Sequence, residues 1–230
     1  MYQRWLCALF FILHGMGSKT TKCVHVLATE GYAPELCAIT IPTIQGYAER
    51  IGADFNLITQ RKFPDFPINY ERLQIFEAGA NYDWNFNIDA DMVLGKNLPD
   101  ISLTMPMDAV RIVMKFDADK FFNISDNKYF LRDGRNVGIV DSFLLTSRLT
   151  HDVWEPLPGN FDDYLSVFKD TNDRRISEYC LSLNLAKYGM HYGGAFNRTD
   201  EIFHVGYTSS EGELRDAVIV AKAKASDWGW

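Results

Sequence analysis

Residues 82–94 read YDWNFNIDADMVL. Trp84, Phe86 and Ile88 alternate with Asn85, Asn87 and Asp89, the two-residue period of a strand. A second carboxylate, Asp91, comes before the apolar Met92, Val93 and Leu94. If strand geometry continues to Asp91, both carboxylates point into one space. Like charges placed that close need a cation between them. In open α/β sheets ligands collect at the carboxyl ends of strands, so the place of this pair matters as much as its identity.

The residues upstream supply such a sheet. CVHVLAT (23–29) is a short valine-rich run, a first strand. PELCAITIPTIQGYAERIGA (34–53) carries Leu36, Ile39, Ile44, Tyr47 and Ile51 at helical spacing, with Pro34 in its first turn and Gly52 at its end. Pro42 and Gly46 inside it predict a kink. DFNLIT (54–59) is a second strand, so 23–59 form a β-α-β unit and the sheet is mostly parallel. QRKFPDFPIN (60–69) is a loop and YERLQIFEAG (70–79) a short helix leading into the strand that ends at the aspartates. Downstream, AVRIVMKF (109–116) and NVGIVDSFLLTS (136–147) read as strands, DDYLSVFK (162–169) and RRISEYCLSLNLAKYG (174–189) as helices, EIFHVGY (201–207) as a late short strand and ELRDAVIVAKAKA (213–225) as a terminal helix. The second half is the more irregular one.

The 230 residues suffice for one sizeable core. A net charge of −7 without any lysine- or arginine-rich run argues against nucleic acid as the main partner. Cys7, Cys23, Cys37 and Cys180 show neither a CxxC pair nor zinc spacing, and their apolar neighbours make them buried free thiols, which fits a reducing compartment. WLCALFFIL (5–13) is too short to span a bilayer, which takes roughly 20 residues. Residues 5–16 act as a signal or anchor, belong to a translated extension, or add a core-covering strand. Residues 1–21 are accordingly set apart as an extension and 22–230 as the domain. Cytoplasmic localisation is favoured, with the secretory pathway open through this N-terminus, the one place where membrane association could arise.

A D-x-D triplet alone says little, since roughly two arise by chance in a chain of this length and aspartate content. There are two D-A-D triplets, Asp89–Asp91 and Asp117–Asp119. The second lies between Lys115 and Lys120, which neutralise it as a solvated turn. The first ends an apolar strand after a β-α-β unit. Mg²⁺ and Mn²⁺ take one or two carboxylates and complete their shell with substrate phosphates. Two strand-end aspartates supply that half-shell, and a nucleoside diphosphate supplies the rest.

The order ATEGY, YAERIGADF, YERLQIFE, NIDADMVL and NLPDI, followed more loosely by NVGIVDSFLLT, SEYCLSLNLAKYG and FHVGY, resembles the GT-A glycosyltransferases. Among them it is similar to the small stand-alone domains with which large algal viruses glycosylate their capsid protein. The resemblance implies a GT-A-like α/β domain with a mostly parallel central sheet and flanking helices. It implies transfer of a hexosyl or deoxyhexosyl group from a nucleotide-diphosphate donor, UDP-linked, to a hydroxyl of a glycan or glycoprotein. It assigns Ala28, Thr29 and Tyr32 to the nucleotide pocket, Asp54 and Phe55 to the base, and Arg72 to the diphosphate. Asp89 then meets ribose and metal, and Asp91 and His204 complete the site for Mn²⁺ or Mg²⁺. An imidazole favours Mn²⁺. If the anomeric centre inverts, Asp141 or Glu178 is the base.

Bland readings stand beside these. Arg72 can pair on the surface with Glu71 or Glu77, and His204 can be a satisfied core residue. D-A-D-M-V also fits a haloacid-dehalogenase-like phosphatase with Asp89 as nucleophile and Asp162–Asp163 as its later acidic pair, although that motif usually opens its domain. A nucleotidyltransferase would want a glycine-rich loop, whereas ATEGYAPE has one glycine. A non-enzymatic carbohydrate-binding protein would use Trp84, Trp154 or Trp228 as sugar platforms.

Overall fold

The computed structural model describes residues 20–112, 122, 131–132, 135–136, 142–169, 175–195, 200–206 and 211–230. The signal-like stretch, Cys7, the second D-A-D triplet and Asp141 lie outside the described residues.

The strands in chain order are β1 (Lys22–Leu27), β2 (Asp54–Ile58), β3 (Trp84–Asp89), β4 (Met92–Leu94), β5 (Ala109–Ile112), β6 (Leu131–Arg132), β7 (Arg135–Asn136), β8 (Phe143–Ser147), β9 (His191–Ala195) and β10 (Ile202–His204). Among the described residues, six of them form one sheet in the order β2-β1-β3-β8-β5-β9. Pairs β1–β2, β1–β3 and β5–β9 are parallel, and β8 runs antiparallel to both neighbours. Five strands therefore point one way and β8 alone against them, the mostly parallel α/β sheet that the sequence pattern implies. Both β1 and β3 are buried nearly end to end, as strands covered on both faces are.

Helix α1 (Pro34–Ile51) covers one face. Its buried residues, Leu36, Cys37, Thr40, Thr43, Ile44, Tyr47 and Ala48, recur on one stripe. Cys37, Ile44, Tyr47 and Ala48 meet Val24, Val26, Phe86 and Ile88 in one core cluster, and full burial of a side chain such as Ile44 is worth about 1.5–3 kcal/mol. Gly52 ends the helix at φ 66°, a left-handed cap whose N–H bonds back to the carbonyls of Ala48 and Glu49. On the opposite face Leu181 and Leu185 of α3 (Ile176–Lys187) pack with Leu144, Val153 and Trp154. Helix α4 (Glu211–Asp227) sets Ala217, Val218 and Ala221 against Leu36 and Val93. Trp84 and Trp154 are core residues, and Cys23, Cys37 and Cys180 are buried free thiols. Among the described residues no helix is long and apolar enough to cross a membrane.

Three local expectations change. Residues 70–79 do not form one α-helix: Ile68–Gln74 is 3₁₀, followed by the single α turn α2 (Ile75–Ala78). Tertiary demand decides this. The Glu71 carboxylate is drawn inward to accept from Arg61 Nε at 2.9 Å and from the amides of Lys62 and Phe63, which outweighs a small difference in helix type. The helix expected at 162–169 is likewise 3₁₀, Phe161–Val167, opened by a capping box between Asn160 and Asp163. Finally, Asp91 is not on the strand. β3 ends at Asp89, Ala90 and Asp91 form a turn, and β4 starts at Met92.

Candidate metal and donor site

The chain leaves β1 through α1 to β2 on one side and later returns as β3 on the other. This puts a topological switch point between β1 and β3, where a crevice opens at the carboxyl ends. Leu27, at the end of β1, stands level with Asp89, at the end of β3.

Asp89 and Asp91 converge here through the turn rather than through strand periodicity. His204 joins them from β10, which pairs antiparallel with β4 and sets His204 opposite Met92. Its Nε2 lies 3.2 Å from Asp91 Oδ1 and 4.0 Å from Asp89 Oδ2. One ligand atom from each of Asp89, Asp91 and His204 falls within 4.8 Å of the others. Two carboxylate oxygens and an imidazole nitrogen suit a hard-to-borderline divalent ion, manganese better than magnesium. His204 is half-buried at a strand end, not sealed in the core.

Arg72 approaches from the 3₁₀ segment, its Nη1 3.3 Å from Asp89 Oδ1. The surface pairings considered for it are taken by other residues: Glu71 pairs with Arg61 and Glu77 with Lys62. Arg72 is only 7% exposed, and its Nε donates to the Asn69 carbonyl at 2.9 Å. Asn69 in turn donates from Nδ2 to Ser177 Oγ at 3.2 Å. A continuous line of polar contacts thus ties α3 to Asp89.

The loop after β1 closes the other side. It is left-handed at Glu30 (φ 54°) and Ala33 (φ 36°), conformations that cost a non-glycine residue of order 1 kcal/mol each. Glu30 is held by Arg61 at 3.3 Å. Ala28 and Tyr32 line a groove of about 400 Å³ with Gly31, Cys37, Ile41 and Leu57, within the range of small-ligand pockets. Cys37, one of the residues lining it, has its thiol pushed up to about 11 by burial and then by the charge of Asp91. Thr29 lies beneath the loop, 1% exposed, and its Oγ1 has no hydrogen-bond partner among the described residues.

Asp54 and Phe55 begin β2, level with Cys23 and Val24, so they stand at the opposite edge of the sheet from Asp89. Asp54 accepts from Tyr82 Oη at 2.7 Å. A parallel strand brings its last residues to the carboxyl edge, and in β2 that is Ile58. Glu178 sits on α3 beside Ser177, its Oε1 3.2 Å from Arg175 Nη1. Asp162 and Asp163 are exposed, and Asp163 caps the Asn160 amide at 2.9 Å. A phosphatase's second acidic pair is therefore not supplied by them.

Two residues absent from the sequence expectations hold this stretch from α1. Thr40 reaches the turn itself, its hydroxyl donating to the Ala90 carbonyl, and Thr43 reaches the strand beyond it, accepting from Leu94 N at 3.0 Å. Their signal was two threonines three apart on an otherwise apolar helical stripe.

No protein-family model matches this chain, and no curated protein does. Solved structures do. A glycosyltransferase involved in glycosylation of the major capsid of PBCV-1 aligns at TM-score 0.49 and 11% identity, covering 87% of this chain and 99% of that one. The galactosyltransferase LgtC, in complex with donor and acceptor sugar analogues, aligns at TM-score 0.49 and 10% identity, covering 90% and 96%. A Drosophila β1,4-galactosyltransferase 7 mutant, in complex with manganese, UDP-Gal and xylobiose, aligns at TM-score 0.46 and 13% identity, covering 82% and 72%.

Proposed function

We propose that residues 22–230 are a metal-dependent glycosyltransferase domain. It moves a hexosyl or deoxyhexosyl group from a UDP-linked donor to a hydroxyl on a glycan or glycoprotein. The observation that carries this reading is the convergence of Asp89, Asp91 and His204 at the carboxyl ends of the central strands, beside Arg72.

Asp89, Asp91 and His204 would hold the cation, and a cation bound there would supply positive charge against the departing diphosphate. Arg72 adds a charge of fixed position, because the Asn69 carbonyl, on a residue anchored in turn to Ser177, holds its guanidinium from behind. Ala28 and Tyr32 receive the nucleoside along the groove, over the loop that Arg61 ties down through Glu30. For a reaction that inverts the anomeric carbon, the acceptor hydroxyl gives its proton to a carboxylate on the opposite face, with Glu178 or Asp141 in that role.

A thermal-shift panel of nucleotide sugars with and without Mn²⁺ tests this. Ligand that binds only the native state raises Tm according to its affinity. A UDP-sugar should raise Tm only with Mn²⁺, and Asp91→Ala should remove the rise. A shift that needs no metal, or hydrolysis of a simple aryl phosphate, contradicts the reading.

A further inference from the structure

The acidic turn is held at three of its peptide groups by three different elements. The Asp89 amide donates to the Ser142 carbonyl at 2.8 Å, from the segment entering β8. The carbonyl of Ala90 accepts from the Thr40 hydroxyl of α1. The carbonyl of Asp91 accepts from Val205 N at 3.0 Å, just past β10. Asp91 therefore has the peptide plane before it fixed by a side chain and the plane after it fixed by a backbone group.

Thr40 is the informative member of this set. It is fully buried on the apolar stripe of α1, where valine would pack equally well. Its hydroxyl carries one proton and has two carbonyls in reach, Leu36 at 3.1 Å and Ala90 closer still. The Leu36 carbonyl already receives the helical N–H of residue 40, as in any α-helix. The Ala90 carbonyl lies in a turn outside the strand ladders, and Ala90 is 3% exposed, so it needs a donor from elsewhere. The proton belongs to Ala90.

We infer that Thr40 is a positioning residue for metal binding: its hydroxyl fixes the peptide plane between Asp89 and Asp91 and so sets the Asp91 carboxylate against His204. The inference rests on the metal reading given above. Without the hydroxyl, the Ala90–Asp91 peptide can rotate, and rotation about the bonds flanking it swings the Asp91 side chain away from its partners. Partners one step behind metal ligands commonly matter by 10–100-fold in affinity. Thr43 supplies the contrast. It lies on the same stripe and is equally buried, but it pins Leu94, past the turn.

The test is Mn²⁺ titration followed by the electron paramagnetic resonance signal of free aquo-Mn²⁺, on wild type and on Thr40→Val, Thr40→Ala, Thr40→Ser and Thr43→Val. Unfolding in urea is followed in parallel. Thr40→Val and Thr40→Ala should each bind Mn²⁺ about tenfold or more weakly. Thr40→Ser, which keeps the hydroxyl, should stay within about twofold of wild type. Thr43→Val should lose stability yet also stay within about twofold. Unchanged affinity in Thr40→Val and Thr40→Ala overturns the inference while leaving the metal site standing. So does an equal loss in Thr43→Val, which would mark general loosening. Failure of wild type to bind Mn²⁺ overturns the metal reading itself, and this inference with it.

Discussion

Two polar clusters share strand β3, one at its tip and one in its middle. At the tip Asp89 gathers Asp91, His204 and Arg72. Four residues back on the same face, Asn85 belongs to a cluster sealed inside the sheet. Its Oδ1 accepts from His25 Nε2 at 3.0 Å, and its Nδ2 donates to the Gly79 carbonyl at 3.0 Å. Asn56 Nδ2 completes the set at His25 Nδ1, 2.9 Å away. The inner cluster is neutral, crosses the three parallel strands β2, β1 and β3, and satisfies its members internally. It fixes register, since a one-residue slip would strand buried amides on the wrong face. The outer cluster is charged and concentrates carboxylates where a ligand can reach them. One strand thus carries a polar file whose inner end serves the fold and whose outer end forms the proposed metal site.

That division predicts a crossed pattern of mutant effects. Asp91→Ala should give the largest change, loss of Mn²⁺-dependent nucleotide binding beyond 100-fold, with urea stability close to wild type. His25→Leu should do the reverse. It leaves the buried Asn85 carbonyl oxygen without its partner, at a cost of about 1–3 kcal/mol, while Mn²⁺ affinity in the folded fraction stays put. If His25→Leu weakens metal binding as strongly as it weakens the fold, the two ends are one unit and the comparison fails.

Acid sharpens the same contrast. Burial, only partly offset by the Asn85 hydrogen bond, lowers the His25 pKa from 6.5 to about 4. Between those values the unfolded chain binds a proton that the native state refuses. The contribution is therefore complete above about pH 6.5 and is lost as pH falls toward 4, by on the order of 3 kcal/mol. Urea unfolding of wild type and His25→Leu at pH 7.5 and 4.5 should show the gap between them narrowing in acid. A gap independent of pH would mean that His25 takes up its proton at the same pH in the native state as in the unfolded chain.

Much of this was legible in the sequence, and the failures have physical causes. Alternation at 84–89 marked β3, and the stripe from Leu36 to Tyr47 with Gly52 behind it marked α1, because burial pattern and capping are local signals. The two carboxylates were rightly placed together but for an incomplete reason: a turn, held by α1 and β10, brings Asp91 round. Asp54 and Phe55 were assigned to the nucleotide although parallel pairing of β2 with β1 sends the first residues of β2 to the far edge. Arg72 was ambiguous in sequence because its neighbours Glu71 and Glu77 are equally acidic, and only tertiary packing gives those to Arg61 and Lys62. Two segments turned out 3₁₀ because buried polar anchors and caps, not periodicity, set their pitch.

The claim on which the rest depends is that Asp89, Asp91 and His204 hold a single divalent ion. Pulsed electron paramagnetic resonance of Mn²⁺ bound to the protein reads this directly, because an imidazole nitrogen ligand modulates the echo. The account predicts one saturable Mn²⁺ per chain with nitrogen coupling that disappears in His204→Ala. Bound Mn²⁺ whose nitrogen coupling is absent, or survives that substitution, would contradict it.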